Sequence, residues 1–470
     1  MIPTAVELVE AYRRRTLSPV EATQAALDAI DAHDGAVNAF VLVDPEGALA
    51  AARASEARWQ AGEPLGPGDG VPASIKDALW TRGWPTLRGS WLIDEAGPWE
   101  EDAPCVARLR ETGAVLLGKT TTPEYSFKGV TDSPRFGATG NPWDPARTAG
   151  GSSGGSATAV GLGMGPWSVG TDAAGSVRIP AAFTGTVALK PTYGLIPHYP
   201  PSPFGTLAHA GPMTRTVADA AALLDIITGF DARDWSAMPT PATSFLAGLD
   251  DGVAGLRIGF SPNLGFGRND PEIDAAVAAA VHALADAGAR VERADPGFDD
   301  PIMHFEVLWY SGEAKVLQAY GNIEDSWADR IDPALRRTAA VGATYSASDY
   351  LDAMAVRMQL GQLMGRFHES YDVLVTPTLP LPAFAAGRDV PAGWPSPDWA
   401  TWTPYTYPFN LTQQPALSVP CGFTSAGLPV GLQIVGPRHA DALVLRVGQA
   451  YQSVTDWHHK TPTLVGQEVR

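Results

Sequence analysis

The chain has 470 residues, a mass of 49.4 kDa and an apolar fraction of 45%, a composition typical of a globular protein with ample core material. Its net charge of −18 makes nucleic acid and membrane surfaces poor partners, because an acidic surface repels phosphate groups. Two cysteines exclude a disulfide framework, and the start of the chain has no charged leader with an apolar core, so we expect a cytoplasmic protein.

Helices and short apolar runs alternate along the whole chain. Thr4 with Glu7 and Ser18 with Glu21 form capping boxes that predict the first two helices. Further helices are predicted over 45–62, 104–112, 216–229, 270–288 and 346–371, and from about 440 onward. Strands are predicted over 39–43, 71–75, 114–117, 290–293, 373–376, 416–419 and 431–435. This alternation predicts an α/β sheet protein with helices on both faces.

Three stretches of the chain are rich in proline: residues 197–205, 238–244 and 391–408. We interpret them as surface loops and not as domain boundaries. No internal repeat or low-complexity linker interrupts the pattern, so the chain is expected to form one large unit.

Residues 148–190 have the most unusual composition of the chain, because small residues dominate this stretch. Residues 150–156 read GGSSGGS and residues 170–178 read GTDAAGSVR. Such small residues let backbone N–H groups approach a ligand closely. A serine at the end of such a loop can attack a carbonyl while neighbouring N–H groups hold the oxyanion, provided that a base activates it.

Histidine is the usual base, but none of the nine histidines lies in this stretch. The nearest, His198 and His209, are interpreted from spacing as surface or capped loop histidines. Residues 150–154 match the G-x-S-x-G pattern of α/β-hydrolases, yet the strand which that motif requires does not precede them. A phosphate loop is also disfavoured, because no Gly-Lys-Ser/Thr follows the glycines.

Lys76 is the other candidate base, and it follows the predicted strand 71–75. Spacing alone favours a lysine that reaches solvent from the end of the strand. A buried amine would instead have a pKa lowered from about 10.4 toward neutrality, and it could then accept a proton.

Together these segments resemble the amidase signature family, whose members are Ser-cisSer-Lys amide hydrolases. The resemblance is carried, in the family's order, by residues 150–156, 170–180 and 188–192, and by 70–77, 114–120, 141–147, 211–214 and 428–436. It covers roughly residues 5–460. It implies one domain over 1–470 with a large mixed sheet covered by helices on both faces. The signature core would span about 70–215, and helical and loop-rich segments on the substrate side about 230–410.

The resemblance also implies a role for individual residues. Ser176 matches the nucleophile, Lys76 the neutral base, and Ser152 the serine that relays the proton, on a cis peptide bond after Gly151. The oxyanion hole would be formed by the backbone N–H groups of Ala173, Ala174, Gly175 and Ser176. The side chains of Ser153, Thr171, Asp172 and Arg178 would support these groups. Many members have glycine at position 174, so the alanine is tolerable unless that residue needs a positive φ.

Two other functions compete with a stand-alone hydrolase. The family includes the glutaminase subunit of a tRNA-dependent amidotransferase, in which an acidic residue binds the glutamine amino group. The corresponding position here falls at about Thr403, and residues 399–410 contain no carboxylate. A non-catalytic scaffold is the second alternative, but scaffolds lose triad residues and all three are present here.

Aromatic residues in the loops bear on the substrate. Candidates for an apolar pocket are Tyr125, Phe204, Trp309, Trp402 and Tyr405, although the same residues could simply pack the loops down. We expect a small neutral or apolar amide, an anilide or a carbamate-like ester as substrate. No spacing of His and Cys suits a metal, and no cofactor is expected beyond water as co-substrate. A homodimer stays open as an expectation from the family.

Overall fold

A mixed sheet of eleven strands runs through the computed structural model, which describes residues 3–321 and 329–464. Its strands are β1 Phe40–Val43, β2 Pro72–Lys76, β3 Val115–Thr120, β6 Trp167–Asp172, β7 Val187–Lys190, β8 His209–Thr214, β9 Arg257–Phe260, β10 Arg290–Arg293, β11 Val373–Pro377, β12 Ala416–Phe423 and β13 Pro429–Val435. A separate two-stranded ladder pairs β4 Asp132–Ser133 with β5 Gly137–Ala138. The strand order in the large sheet is β1-β3-β2-β6-β8-β7-β12-β13-β11-β9-β10.

Helices surround this sheet. In the described ranges they are α1 Ala5–Arg14, α2 Pro19–Val37, α3 Pro45–Ala61, α4 Pro104–Glu111, α5 Gly154–Gly161, α6 Arg178–Thr184, α7 Val217–Ile227, α8 Pro271–Asp286, α9 Ile302–Gln318, α10 Pro333–Gly342, α11 Ala347–Ser370, α12 Pro408–Leu411 and α13 Asp441–Ser453. None of the helices in these ranges is long and apolar enough to cross a bilayer.

The sheet separates two hydrophobic cores, as the alternation along β11 demonstrates. Val373 and Val375 pack into one core, whereas Leu374 packs into the other. Successive side chains of a strand point to opposite faces, so both faces of this sheet are covered. The first core is completed by α1, α4, α7, α8 and α13, and the second by α6, α9, α10 and α11. The predicted α/β architecture with helices on both faces is therefore confirmed.

The elements predicted from periodicity and caps are all present, with ends shifted by a few residues. Thr4 and Ser18 close the two predicted capping boxes. The elements within 150–190, namely α5, β6, α6 and β7, had no signal in the sequence, because small residues carry little hydrophobic periodicity.

The interpretation of residues 391–408 as a surface loop is wrong for their second half. Trp402, Tyr405 and Tyr407 are fully buried there. Large aromatic rings bury so much apolar area that they draw a proline-rich segment into the core.

Both cysteines, Cys105 and Cys421, are buried and unpaired.

The topology brings the end of strand β2, with Lys76, and the two serine-containing loops to one edge of the sheet. β2 and β6 are parallel neighbours, with Ile75 opposite Val169. Their carboxyl ends, Lys76 and Asp172, therefore lie at the same edge. Helices α5 and α6 begin at this edge as well, after the two serine-containing loops. Ligands commonly bind outside the carboxyl ends of strands in such sheets.

Candidate active site

Lys76 ends the central strand β2 and is completely buried. Its Nζ atom lies 2.6 Å from Ser152 Oγ and 2.8 Å from Thr171 Oγ1. The interpretation from spacing, a lysine that reaches solvent, is therefore wrong. Strands β3 and β6 flank β2, and the side chains of Ser152 and Thr171 contact the amine. Burial lowers the pKa of the Lys76 amine well below its usual value, against the opposing effect of the Asp172 charge.

Ser152 lies in the loop before α5, and the peptide bond between Gly151 and Ser152 is cis, as the resemblance implies. A side chain at position 151 has no room, since a Cβ there would lie 2.5 Å from the Val130 carbonyl. The next residue, Ser153, ties this loop to its neighbours. Its N–H donates to the Ser176 carbonyl at 3.0 Å, and its hydroxyl donates to the Thr171 carbonyl at 3.1 Å.

Ser176 lies in the turn between β6 and α6 and is 5% exposed. It lines a cavity together with Ser152 and Thr171, so the proposed nucleophile and the group bonded to Lys76 face the same space. The other lining residues are Ala78, Arg88, Tyr125, Ser126, Ala173, His198, Pro200, Pro201, Ser202, Pro203, Phe204 and Ala208.

The backbone around Ser176 divides the four predicted oxyanion-hole donors into two groups. The N–H of Gly175 donates to Asp172 Oδ1 at 2.8 Å, so it is already engaged. The N–H groups of Ala173, Ala174 and Ser176 have no hydrogen-bond acceptor among the described residues. Gly175 has a φ of +122°, and a Cβ there would lie 2.6 Å from Thr406.

Ala174, where many family members have glycine, has no positive φ. It is fully buried, and Ala173 lines the cavity instead. The extra methyl group therefore fits the backbone conformation and does not narrow the cavity.

Asp172 and Arg178 form a buried ion pair directly beneath the Ser176 turn. Arg178 Nε donates to Asp172 Oδ2 at 2.9 Å, and both side chains are fully buried. Burial alone would raise the pKa of the Asp172 carboxyl, but the Arg178 guanidinium outweighs it and holds that pKa below its usual value. Arg178 also donates to Gln433 Oε1 and Asn410 Oδ1, both at 2.7 Å. This network joins the turn to β13 and α12 and so orients it.

His209 is not the surface or capped loop histidine that spacing favoured. It begins strand β8 and is buried, with Nδ1 2.8 Å from the Leu207 carbonyl and 3.1 Å from the Asp172 carbonyl. Its position opposite Asp172 in the sheet places it behind the Ser176 turn. His198 lines the cavity itself.

The predicted aromatic pocket is only partly at the cavity. Tyr125 and Phe204 line it, and Trp309 stacks behind Phe204 with ring centroids 3.8 Å apart. Trp402 and Tyr405 are fully buried and lie outside the cavity lining; Trp402 stacks on Phe183. Trp402 and Tyr405 therefore pack the loops down, which was the alternative interpretation of these aromatic residues.

Two residues that line the cavity could not be predicted from the sequence. Arg88 sits in an ordinary-looking loop, and Ser126 follows Tyr125 in a segment without periodicity. Both have a left-handed backbone, with φ of 50° and 61°.

Thr403, the position at which the glutaminase subunit has its acidic residue, is buried and donates to the Ala400 carbonyl. No carboxylate occurs among the described residues that line the cavity.

Comparisons with known proteins agree on the family. A sequence model described as Amidase matches residues 21–445. The chain is similar to an acylamidase of Rhodococcus erythropolis, with 37% identity over 98% of this chain and 97% of that protein. It is also similar to a glutamyl-tRNA(Gln) amidotransferase subunit of Chloroflexus aggregans, with 38% identity over 95% of each chain.

Among solved structures, the chain is similar to a bacterial aryl acylamidase of the amidase signature family. The TM-score is 0.90 and the identity 30%, over 97% of each chain. Sequence and fold agree over almost the whole length, so the expectation from the signature motifs is confirmed. This chain is a member of the amidase signature family and an amide hydrolase.

Proposed function

We propose that the protein hydrolyses the C–N bond of a carboxylic amide through an acyl-enzyme on Ser176. The observation that carries this proposal is the buried contact of 2.6 Å between Lys76 Nζ and Ser152 Oγ, together with the cavity that Ser152 and Ser176 both line. A serine nucleophile needs a base, and a desolvated lysine amine provides one without histidine.

The first half of the reaction forms the acyl-enzyme. Ser176 Oγ attacks the amide carbon, its proton passes to Ser152 Oγ, and the Ser152 proton passes to Lys76 Nζ. The negative charge that develops on the carbonyl oxygen is held by the free N–H groups of Ala173, Ala174 and Ser176. The C–N bond then breaks, and the leaving nitrogen takes a proton from Lys76 through Ser152.

The second half returns the enzyme to its starting state. Water attacks the acyl carbon and loses its proton through Ser152 to Lys76. The bond to Ser176 Oγ breaks, and Ser176 regains a proton by the same route. The product acid leaves, so one amide and one water give one acid and one amine. Four further side chains hold the loops of Ser152 and Ser176 in place relative to each other: Ser153, Thr171, Asp172 and Arg178.

The cavity walls favour an apolar substrate, which agrees with the neutral or apolar amide expected from the sequence. Three prolines, three alanines and the rings of Tyr125 and Phe204 contribute to the lining. Apolar walls with few convergent polar groups suit aryl or alkyl amides and carbamate-like esters. One relative is called an acylamidase and one solved neighbour an aryl acylamidase, which supports this substrate class.

Glutamine hydrolysis for an amidotransferase complex is the alternative, and the relative from Chloroflexus aggregans supports it. Against it, the described lining residues offer no carboxylate for the α-ammonium group of glutamine. An unpaired ammonium in a partly desolvated cavity is strongly unfavourable.

A hydrolysis panel separates these substrates. It contains acetanilide, a simple aliphatic amide, an aryl carbamate, glutamine and asparagine, with the Ser176→Ala protein as blank. We expect the highest kcat/KM for the anilide. If glutamine gave the highest value, the glutaminase function would replace this proposal.

A further inference from the structure

Arg88 occupies a fixed position at the cavity. Its N–H donates to the Asp77 carbonyl at 3.1 Å, and its carbonyl accepts from the Tyr125 N–H at 2.8 Å. Arg88 has a φ of 50° and is followed by Gly89 with a φ of 65°, where a Cβ would lie 2.6 Å from the Thr122 carbonyl. Non-glycine residues in this backbone region are uncommon and often mark functional positions. The loop thus holds one side chain at the cavity at some conformational cost.

A buried lysine fixes the loop that leads to Arg88. Lys119 Nζ donates to the Leu79 carbonyl and to Thr86 Oγ1, each at 2.7 Å. These bonds tie both ends of the intervening turn to strand β3. The position of Arg88 is therefore set by the core and not by the solvent.

The guanidinium of Arg88 forms no ion pair or hydrogen bond with any residue in ranges 3–321 and 329–464. The other arginine near the reacting groups, Arg178, is fully paired with Asp172 and polar neighbours. Burial lowers the pKa of His198 to about 4, and the Arg88 charge acts in the same direction across the cavity. Because this pKa leaves His198 neutral near pH 7, Arg88 carries the one formal charge among the described lining residues.

We propose that Arg88 binds a carboxylate on the substrate, so that the preferred amides combine an apolar body with one acidic group. This inference rests on the proposed amide hydrolysis, and it replaces the expected neutral substrate with an apolar amide that carries one carboxylate. Guanidinium groups bind carboxylates through paired, charge-assisted hydrogen bonds, which are among the stronger ones in proteins. A chain with a net charge of −18 repels anions in general, so an acidic substrate requires a local cation of this kind.

Two matched substrate pairs test the proposal. In the first, acetanilide is compared with 4-acetamidobenzoate, which carries the carboxylate on the amine side. In the second, butyranilide is compared with 4-anilino-4-oxobutanoate, which carries it on the acyl side. Binding is measured by calorimetry to the Ser176→Ala protein, with and without Arg88→Gln. In at least one pair we expect the carboxylate form to bind more tightly, and Arg88→Gln to weaken that form alone by about tenfold or more.

The same pairs are then measured as substrates of the wild-type, Arg88→Gln, Arg88→Lys and Arg366→Gln proteins. Arg366 is exposed on α11, so Arg366→Gln makes the same charge change away from the cavity and should leave kcat/KM unchanged. Arg88→Lys should retain part of the carboxylate preference, because it keeps the charge but loses the paired geometry. A thermal melt of each variant checks that the fold is intact.

The outcomes separate this inference from the proposed function. Equal losses for neutral and acidic substrates on Arg88→Gln, or no preference for the carboxylate in either pair, would overturn the role of Arg88 while leaving amide hydrolysis intact. No hydrolysis of any member would instead contradict the proposed function. The binding measurement still decides the role of Arg88 in that case, because it needs no turnover.

Discussion

Lys76 Nζ lies 2.6 Å from Ser152 Oγ, and both side chains are completely buried. Burial disfavours the ammonium form, so the pKa of Lys76 is held well below its usual value. Lys76 Nζ donates to Ser152 Oγ and, at 2.8 Å, to Thr171 Oγ1. In the proposed reaction the neutral amine takes the Ser152 proton across this same contact, and Ser152 in turn takes the proton of Ser176.

Ser176→Ala should abolish hydrolysis and remove labelling by a fluorophosphonate probe, because Ser176 is the proposed nucleophile and Ser152 serves only as its proton relay. Labelling is measured by gel fluorescence and by intact mass. Ser202 lines the same cavity, so the Ser202→Ala protein is the matched control and should still be labelled. Probe attachment that survived Ser176→Ala would place the nucleophile elsewhere.

Lys76→Ala should lower kcat/KM by about 10²- to 10⁴-fold, the usual contribution of a general base. In the wild type, kcat/KM should fall as the pH drops through the lowered pKa of Lys76, because the protonated amine cannot accept a proton. That acid limb should disappear in the variant. The exposed Lys315 provides the control, since Lys315→Ala should keep the wild-type pH profile. An unchanged acid limb in Lys76→Ala would contradict the assignment of the base.

Ser152→Ala should reduce kcat/KM strongly but less than Lys76→Ala. The nucleophile and base remain in place, and a water molecule can take over part of the proton relay. The double variant Ser176→Ala with Lys76→Ala should be hardly worse than Ser176→Ala alone, because residues that act as one unit are not additive. Steady-state kinetics on the four proteins measure both effects. Full activity in Ser152→Ala would exclude the relay.

Asp172→Asn should destabilise the fold by about 3–5 kcal/mol, since it leaves the buried Arg178 charge without its partner. The folded-state pKa of Asp172 is lowered, so its contribution to stability is present above about pH 4 and is lost as the pH falls through that lowered value. Urea unfolding at pH 7 and at acidic pH measures both effects, and the variant should lose less stability on acidification than the wild type.

The control for this prediction is Asp144→Asn, which breaks an exposed pair with Arg147 at 3.5 Å. Exposed pairs contribute about 0–1 kcal/mol. If the two variants lost equal stability, the buried network would not have the role assigned to it.

Chelators should leave hydrolysis unchanged, because the proposed route moves protons and electrons through Ser176, Ser152 and Lys76 alone. Among the described residues, no cluster of three His, Cys, Asp or Glu side chains has the geometry to hold a metal ion. Activity is measured before and after dialysis against EDTA. Activity that is lost and then restored by zinc would overturn the serine mechanism.

Much of the fold followed from local sequence. Caps such as Thr4 and Ser18 and the periodicity of apolar residues specify helices and strands through short-range contacts, and these predictions are confirmed. The family followed from the spacing of small residues around Ser152 and Ser176, because that spacing reflects backbone requirements that few other residues satisfy.

Only the tertiary structure decided which charged groups are buried and which have a partner. Periodicity cannot show that β3 and β6 flank β2 or that Ser152 and Thr171 contact the Lys76 amine. The burial of Lys76 and its lowered pKa were therefore visible only in the tertiary structure. The same holds for Trp402, which packs in the core, and for Arg88, which lies at the cavity without a partner among the described residues. Burial and charge pairing arise from segments distant in sequence, and only the packed structure brings those segments together.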